Sequence, residues 1–342
     1  MYSVVIVRVL QSFPEGRTTT NPYLLQLSRS LSPHVEVLGF TWRRALTSRY
    51  DVFHVHWPEI LLQGRTPVRA LARRMLFRLF LMRLRLHRTA VVRTLHNVRS
   101  HELSPRHDQR LLKRFDQRTT LWIRLNPFTP VPADALEHTI PHGDYRDWFY
   151  DVTSGVAAPG RLLYFGLIRP YKGVDTLVHA FRQLDTGALA DPLPTLRIVG
   201  APQSSDLAER LQLTAAGDPR IELVLRHASD AELADAIHSA ELVVLPYAEM
   251  HNSGAALLAL SLDRAVLVPE NAVTTALANE VGTDWVLTYT GPLCAAVLAD
   301  ALVRARRPRS APSPDLSHRR WSVGAAAHVE AYGRAVQSVR SR

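Results

Sequence analysis

The chain has 342 residues, of which 46% are apolar and 21% charged, with a formal net charge of +10. That length exceeds one ordinary domain and suits two, and the composition excludes a disordered or fibrous chain. Its single cysteine, Cys294, excludes an intrachain disulfide and fits a reducing cytoplasm, and no run approaches the ~20 uninterrupted apolar residues that span a bilayer.

Residues 2–10 alternate as a strand and lack a signal-peptide pattern. A helix is expected over 21–31, with Asn21-Pro22 as cap and first position. Strands are expected over 35–38, 51–56 and 89–95. Between the last two, residues 67–86 read as a long helix. No Asp or Glu occurs from 60 to 101, a window that holds Arg65, Arg69, Arg73, Arg74, Arg78, Arg83, Arg85, Arg88, Arg93 and Arg99. With Leu71, Met75, Leu76, Leu79, Phe80 and Met82 interleaved, the helix reads as basic on one side and apolar on the other. Such a helix suits an anionic membrane interface, with Leu76, Leu79, Phe80 and Met82 entering it. The same segment also reads as a crossover helix with an arginine-rich polar face. Nucleic acid is not expected, because neither a binding motif nor an aromatic ladder accompanies the charge. Residues 106–124 read as helix and 127–132 as a break.

The second half repeats the alternation after a Gly-, Pro- and Asp-rich linker over 141–160. Short strands are expected over 161–165, 195–199, 221–225, 241–245 and 265–268, with helices between them. Ser229 with Glu232 forms a capping box for one of these helices. Residues 304–314 read as a surface connection and 318–339 as a closing helix. Strands alternating with helices in both halves imply two parallel, doubly wound sheets, with ligand sites just beyond the strand ends.

The chemistry-bearing runs fall at those ends. The run Phe165-Gly166-Leu167-Ile168-Arg169-Pro170-Tyr171-Lys172-Gly173 joins a strand to a helix. Free N–H groups at a helix start, with Arg169 and Lys172 beside them, suit a diphosphate. Four further runs follow strands or the first half as a whole: Arg17 to Tyr23, His54-Val55-His56-Trp57-Pro58, Thr94-Leu95-His96-Asn97 and Ile140 to Tyr145. A sixth, Pro246-Tyr247-Ala248-Glu249-Met250-His251-Asn252-Ser253-Gly254, ends a strand and opens a helix. His54 and His56 share a strand face, but a metal pair there lacks a visible third ligand, leaving crevice wall or core.

In this order the runs resemble the landmarks of retaining glycosyltransferases of family 4, which have the GT-B fold. The resemblance implies an α/β architecture of two facing Rossmann-like domains with an interdomain crevice. It places an acceptor-side domain at 1–150, a nucleotide-sugar-binding domain at 151–317 and a helix returning to the first domain at 318–342. It implies that Gly166, Arg169 and Lys172 hold the donor diphosphate, and that Asn252, Ser253 and Gly254 also bind the donor. It puts His96 near the transferred sugar; a structural histidine is the other reading. Most members carry two glutamates eight positions apart. Glu249 matches the first; the second position is Leu257, with Glu270 as a substitute. Thr18, Thr19, Thr20 and Asn21 replace a Gly-rich loop, either binding sugar oxygens or capping the helix, with Thr19, Thr20 and Asn21 as the acceptor-side residues. The implied activity moves a sugar from a nucleotide-diphosphate sugar to a glycolipid or lipid-linked saccharide, with retention, as in exopolysaccharide assembly. No cofactor and no metal are expected, since no Asp-x-Asp triplet is present and Arg169 and Lys172 supply the positive charge. The expected location is cytoplasmic, peripheral on the inner face of the cell membrane through residues 67–86. The alternatives are a GT-B enzyme with a soluble acceptor, or a catalytically silent scaffold that binds membranes or partners.

Overall fold

The computed structural model describes residues 7–15, 21–96, 106–151, 155–185, 192–247 and 250–341. The chain divides into two compact units: Met1–Gly143 with Arg319–Arg342, and Asp144–His318.

The first unit runs β1 (Arg8–Gln11), α1 (Pro22–Leu31), β2 (Glu36–Leu38), α2 (Trp42–Thr47), β3 (Val52–Val55), α3 (Pro67–Leu86), β4 (Ala90–Leu95), α4 (Arg106–Asp116), β5 (Leu121–Arg124) and β6 (Leu136–Thr139). Its strands form one parallel sheet in the order β2-β1-β3-β4-β5-β6. Successive side chains of a strand point to opposite faces, and both faces are covered. Val9, Val52 and Val92 face α1, whereas Leu10, Phe53 and Val91 face Phe77, Phe80 and Leu84 of α3 and Phe115 of α4.

Two expectations change here. The helix expected over 106–124 ends at Asp116, and β5 follows it, pairing Leu121 with Val92 and Ile123 with Thr94. A four-residue apolar run carries too little periodicity to separate strand from helix; the open edge of β4 decides it. The two-sided reading of α3 is also corrected. Phe80 is fully buried and Leu76 half-buried, so neither is a surface residue, while Val68, Leu71, Met75 and Leu86 are exposed beside Leu79 and Met82. The helix thus has apolar residues on two opposite faces, with arginines along the edges between them.

The second unit runs β7 (Arg161–Phe165), α5 (Val174–Arg182), β8 (Thr195–Val199), α6 (Ser205–Ala215), β9 (Ile221–Val224), α7 (Asp230–Ser239), β10 (Leu242–Val244), α8 (Gly254–Ser261), β11 (Val266–Pro269), α9 (Ala272–Val281), β12 (Val286–Tyr289) and α10 (Ala295–Ala305). The sheet is again parallel, in the order β12-β11-β10-β7-β8-β9. The Ser229–Glu232 capping box is formed at the start of α7. The last helix, α11 (Trp321–Arg340), belongs to the first unit, where Ala325, Ala331 and Ala335 let it pack closely on α1, β3 and β4. Among the described residues no helix is long and apolar enough to cross a membrane.

Candidate active site

In the second unit, strand order reverses between β10 and β7. Ligand crevices of open α/β sheets lie outside the carboxyl ends of the two strands that flank such a reversal. The chain leaving β7 is the run 166–173, and the chain leaving β10 is the run 245–254, so the topology brings together two runs that lie far apart in sequence.

The first run is held rigidly. Gly166 N–H donates to Val199 O, Ile168 N–H to Ala201 O and Gln203 N–H to Ile168 O, extending the β7–β8 pairing into the turn. Tyr164 Oη donates to Leu167 O at 3.1 Å. Gly173 has φ +67°, in the left-handed region, and a Cβ there would lie 2.5 Å from Pro246 O. Glycine is therefore required twice over, by conformation and by the approach of the β10 end. As the N-cap of α5, Gly173 brings no capping side chain to the first-turn N–H groups. This is the arrangement that receives an anion.

Lys172 is half-buried, with Nζ 4.7 Å from the Tyr247 ring centroid. Burial, and secondarily the Arg169 guanidinium, lower its pKa to about 8. Neither cation is in an ion pair with a described carboxylate. A partly desolvated ammonium with no ion-pair partner among the described residues, beside an uncapped helix start, is a chemically suitable place for an anion. Tyr247, which seats this lysine, was not singled out as a site residue in the sequence; its position before the 248–254 run was the available signal.

The other expected donor residues are placed unevenly. Ser253 caps α8, its Oγ accepting from Ala256 N–H at 3.1 Å, with Gly254 as the first helical residue. Asn252 is half-buried beside it. Asn271 ties this loop to the end of β11, donating from Nδ2 to Met250 O at 2.9 Å while its Oδ1 caps α9. Glu270 is exposed and lines a cleft of about 370 Å³ with Thr288, Tyr289, Asp300 and Arg304, on the β12 side and away from β7. Glu249 lies outside the described residues. Leu257 is buried in the core, so the position of the absent second glutamate serves packing.

In the first unit the reversal lies between β1 and β3. His54 and His56 stand at the carboxyl end of β3 and His96 at that of β4. His54 uses both ring nitrogens, bonding Thr94 Oγ1 and Tyr332 Oη at 2.8 Å each. His56 Nδ1 lies 3.0 Å from His96 Nε2. Trp57 stacks on His96 at 4.3 Å, and Tyr23 meets its edge at 5.0 Å. His142 and His328 bond the carbonyls of Gly143 and Gly324 through Nδ1 at 2.7 Å, which fixes each as the Nδ1–H tautomer when neutral. Burial holds all five rings neutral. It lowers His54 and His56 well below the usual range, His96 to about 3, and His142 and His328 to about 4. His54 and His56 are core residues, and among the described residues no three His, Cys, Asp or Glu side chains group as metal ligands. Asn21 caps α1, accepting from Tyr23 N–H at 2.9 Å, while Thr18, Thr19 and Thr20 lie outside the described residues. Tyr332 and His328 were invisible to the sequence reading, because the final helix carries them to β3 from 278 residues away in the case of the Tyr332–His54 bond.

The chain is 44% identical over 326 residues to a GDP-mannose:glycolipid 4-beta-D-mannosyltransferase of Xanthomonas campestris pv. campestris, covering 95% of this chain and 92% of the relative. Residues 159–305, which include the phosphate turn and the β10 run, match the profile of the glycosyl transferases group 1 family. This chain belongs to that family. Like other group 1 glycosyltransferases it is a transferase enzyme, and the solved structures give the same fold. Anabaena HepE in complex with UDP and glucose is 15% identical, with a TM-score of 0.58 and coverage of 98% of both chains. AviGT4, a glycosyltransferase involved in avilamycin A biosynthesis, is 15% identical, with a TM-score of 0.60 and coverage of 97% and 98%. The GT-B architecture expected from the ordered motifs is the one found.

Proposed function

We propose that this glycosyltransferase moves a mannosyl residue from GDP-mannose to a glycolipid. The observation that carries the reading is the 44% identity, over nearly the whole of both chains, to an enzyme with that donor and acceptor. Lys172 and Arg169, without an ion-pair partner among the described residues and placed at the uncapped start of α5, support it chemically. They offer preorganised charge to a departing nucleoside diphosphate, which lowers the barrier without a cation of its own. No cofactor enters the proposed reaction, and the donor-binding roles of Gly166, Asn252, Ser253, Gly254 and Glu249 belong to the same proposal.

Stereochemistry is where this reading departs from the expected retention. The relative is a β-mannosyltransferase. From a donor linked α to its diphosphate, a β-mannoside forms by attack opposite the leaving group. The C1–O bond to the diphosphate breaks, the bond from the acceptor oxygen to C1 forms, and the acceptor proton passes to water on the far side from the phosphates. A donor phosphate oxygen cannot then receive that proton. We assign the acceptor side to the first unit, where neutral His96 is bonded to His56.

A glycolipid acceptor lies at a membrane. We place the enzyme peripherally on the cytoplasmic face, held at an anionic surface by the basic segment 67–86. The test is GDP release from GDP-mannose, against other nucleotide sugars, with detergent-dispersed glycolipid from a β-mannoside-producing bacterium, followed by NMR of the product's anomeric carbon. GDP-mannose as preferred donor and a β-mannoside product are expected. No transfer from any GDP-sugar sinks the donor assignment, and an α-mannoside restores retention.

A further inference from the structure

We infer that the exposed face of α3 is a hydrophobic ridge that inserts into an anionic lipid surface; this deepens, and rests on, the membrane reading above. Val68, Leu71, Met75, Leu79, Met82 and Leu86 are each between 51% and 80% exposed. Their spacing of three or four residues places them on one line along the helix, about 27 Å from end to end. The buried residues Phe77, Phe80 and Leu84 lie on the opposite side, so core packing accounts for none of the six. A contiguous exposed apolar line of this length marks an interaction surface.

Charge selects the occupant. Arg69 borders one edge of the line and Arg78 and Arg85 the other, all three exposed. Other arginines of the helix are engaged within the unit. Arg74 pairs with Asp108 at 2.6 Å, Arg83 donates to Leu46 O and Ser48 O, and Arg73 reaches Ile60 O. The basic side expected from the sequence thus resolves into arginines bonded within the unit and edge arginines that have no ion pair among the described residues, of which Arg78 reaches Met75 Sδ at 4.0 Å. With no acid from 60 to 101, a second copy laid on this face would set arginine edges against each other without compensation. Nucleic acid would satisfy the edges but leave the apolar line in water. An anionic bilayer matches both, with headgroups at the edges and acyl chains under the line. The helix therefore lies in the plane of the interface and does not cross it.

The test is co-sedimentation of the full chain with phosphatidylcholine vesicles, with and without phosphatidylglycerol, at low salt and at about 0.5 M NaCl, where surface charge is screened. One variant combines Leu71→Gln, Met75→Gln, Leu79→Gln and Met82→Gln; a second combines Arg69→Gln, Arg78→Gln and Arg85→Gln. All are surface positions, and circular dichroism checks the fold. Wild type should stay bound to anionic vesicles at high salt. The apolar variant should bind only at low salt, losing about tenfold or more in high-salt partitioning. The arginine variant should lose the preference for phosphatidylglycerol. Met75→Trp should show blue-shifted emission on anionic vesicles. High-salt binding by the apolar variant equal to wild type, absence of vesicle binding by wild type, or a wild-type dimer that the apolar variant dissociates would each overturn the inference. Thermal stabilisation by GDP, measured on the same proteins, reports the donor reading separately: it survives failure of the ridge and is lost only if that reading is wrong.

Discussion

Replacing Lys172 separates the chemistry of the phosphate turn from its stability. The ammonium lies over Tyr247, and burial with Arg169 nearby lowers its pKa from 10.5 to about 8. At pH 7 the group is still about nine-tenths protonated, so the resting enzyme carries the charge. Preorganised charge on a leaving group is worth ~3–4 kcal/mol, so Lys172→Met should lower kcat by ~10²–10³. Folding should move the other way. A folded-state pKa below the unfolded value means that the protonated lysine opposes folding, with stability rising as pH climbs from about 8 towards 10.5. The shift corresponds to roughly 3 kcal/mol at neutral pH, of which a neutral side chain of similar volume recovers part. Lys172→Met should therefore melt at or above the wild-type temperature while losing activity. Because the reaction needs the protonated form, kcat/KM should fall as pH rises through about 8. The limb for kcat should lie higher, since a bound diphosphate favours the ammonium. Arg169→Ala should move the kcat/KM limb to higher pH by removing the second cause of the shift. Assays of GDP release and thermal denaturation read both quantities. Unchanged kcat in a folded Lys172→Met protein would refute the reasoning.

Transfer should persist in excess chelator, because Arg169, Lys172 and the α5 start are proposed to meet the leaving charge; loss that Mg²⁺ or Mn²⁺ restores would contradict this. Acid should unfold the first unit steeply. His54, His56, His96, His142 and His328 have folded pKa values below the unfolded 6.5, so their stabilising contribution is present above that value and is lost as pH falls from 6.5 towards about 4. Each contributes up to roughly 1.4 kcal/mol per pH unit in that window, and circular dichroism against pH should show cooperative loss there rather than a flat baseline. Gly173→Ala should destabilise the second unit by about 2 kcal/mol or more, since it forces a left-handed conformation and a clash with Pro246 O. A wild-type melting temperature would mean that the turn relaxes freely.

Features set by near neighbours along the chain were legible from the residues alone. Alternating periodicities gave two parallel α/β halves, and the strand–glycine–helix run that sets Lys172 beside a helix start was legible, because a helix start and a cation are local features. The cap at Asn21 and the capping box at Ser229 were equally legible, being contacts between residues a few positions apart. Tertiary structure decided the rest. β5 became a strand because β4 offered an open edge, and no four-residue pattern carries that information. Tyr247 came to seat Lys172 because strand order reverses between β10 and β7, a property of the whole sheet. Tyr332 reached His54 because the final helix returns to the first unit. For α3, composition gave arginines and apolar residues. Only packing showed which apolar face was consumed by the core and which was left over, because burial is settled by the neighbours a helix meets and not by the helix itself.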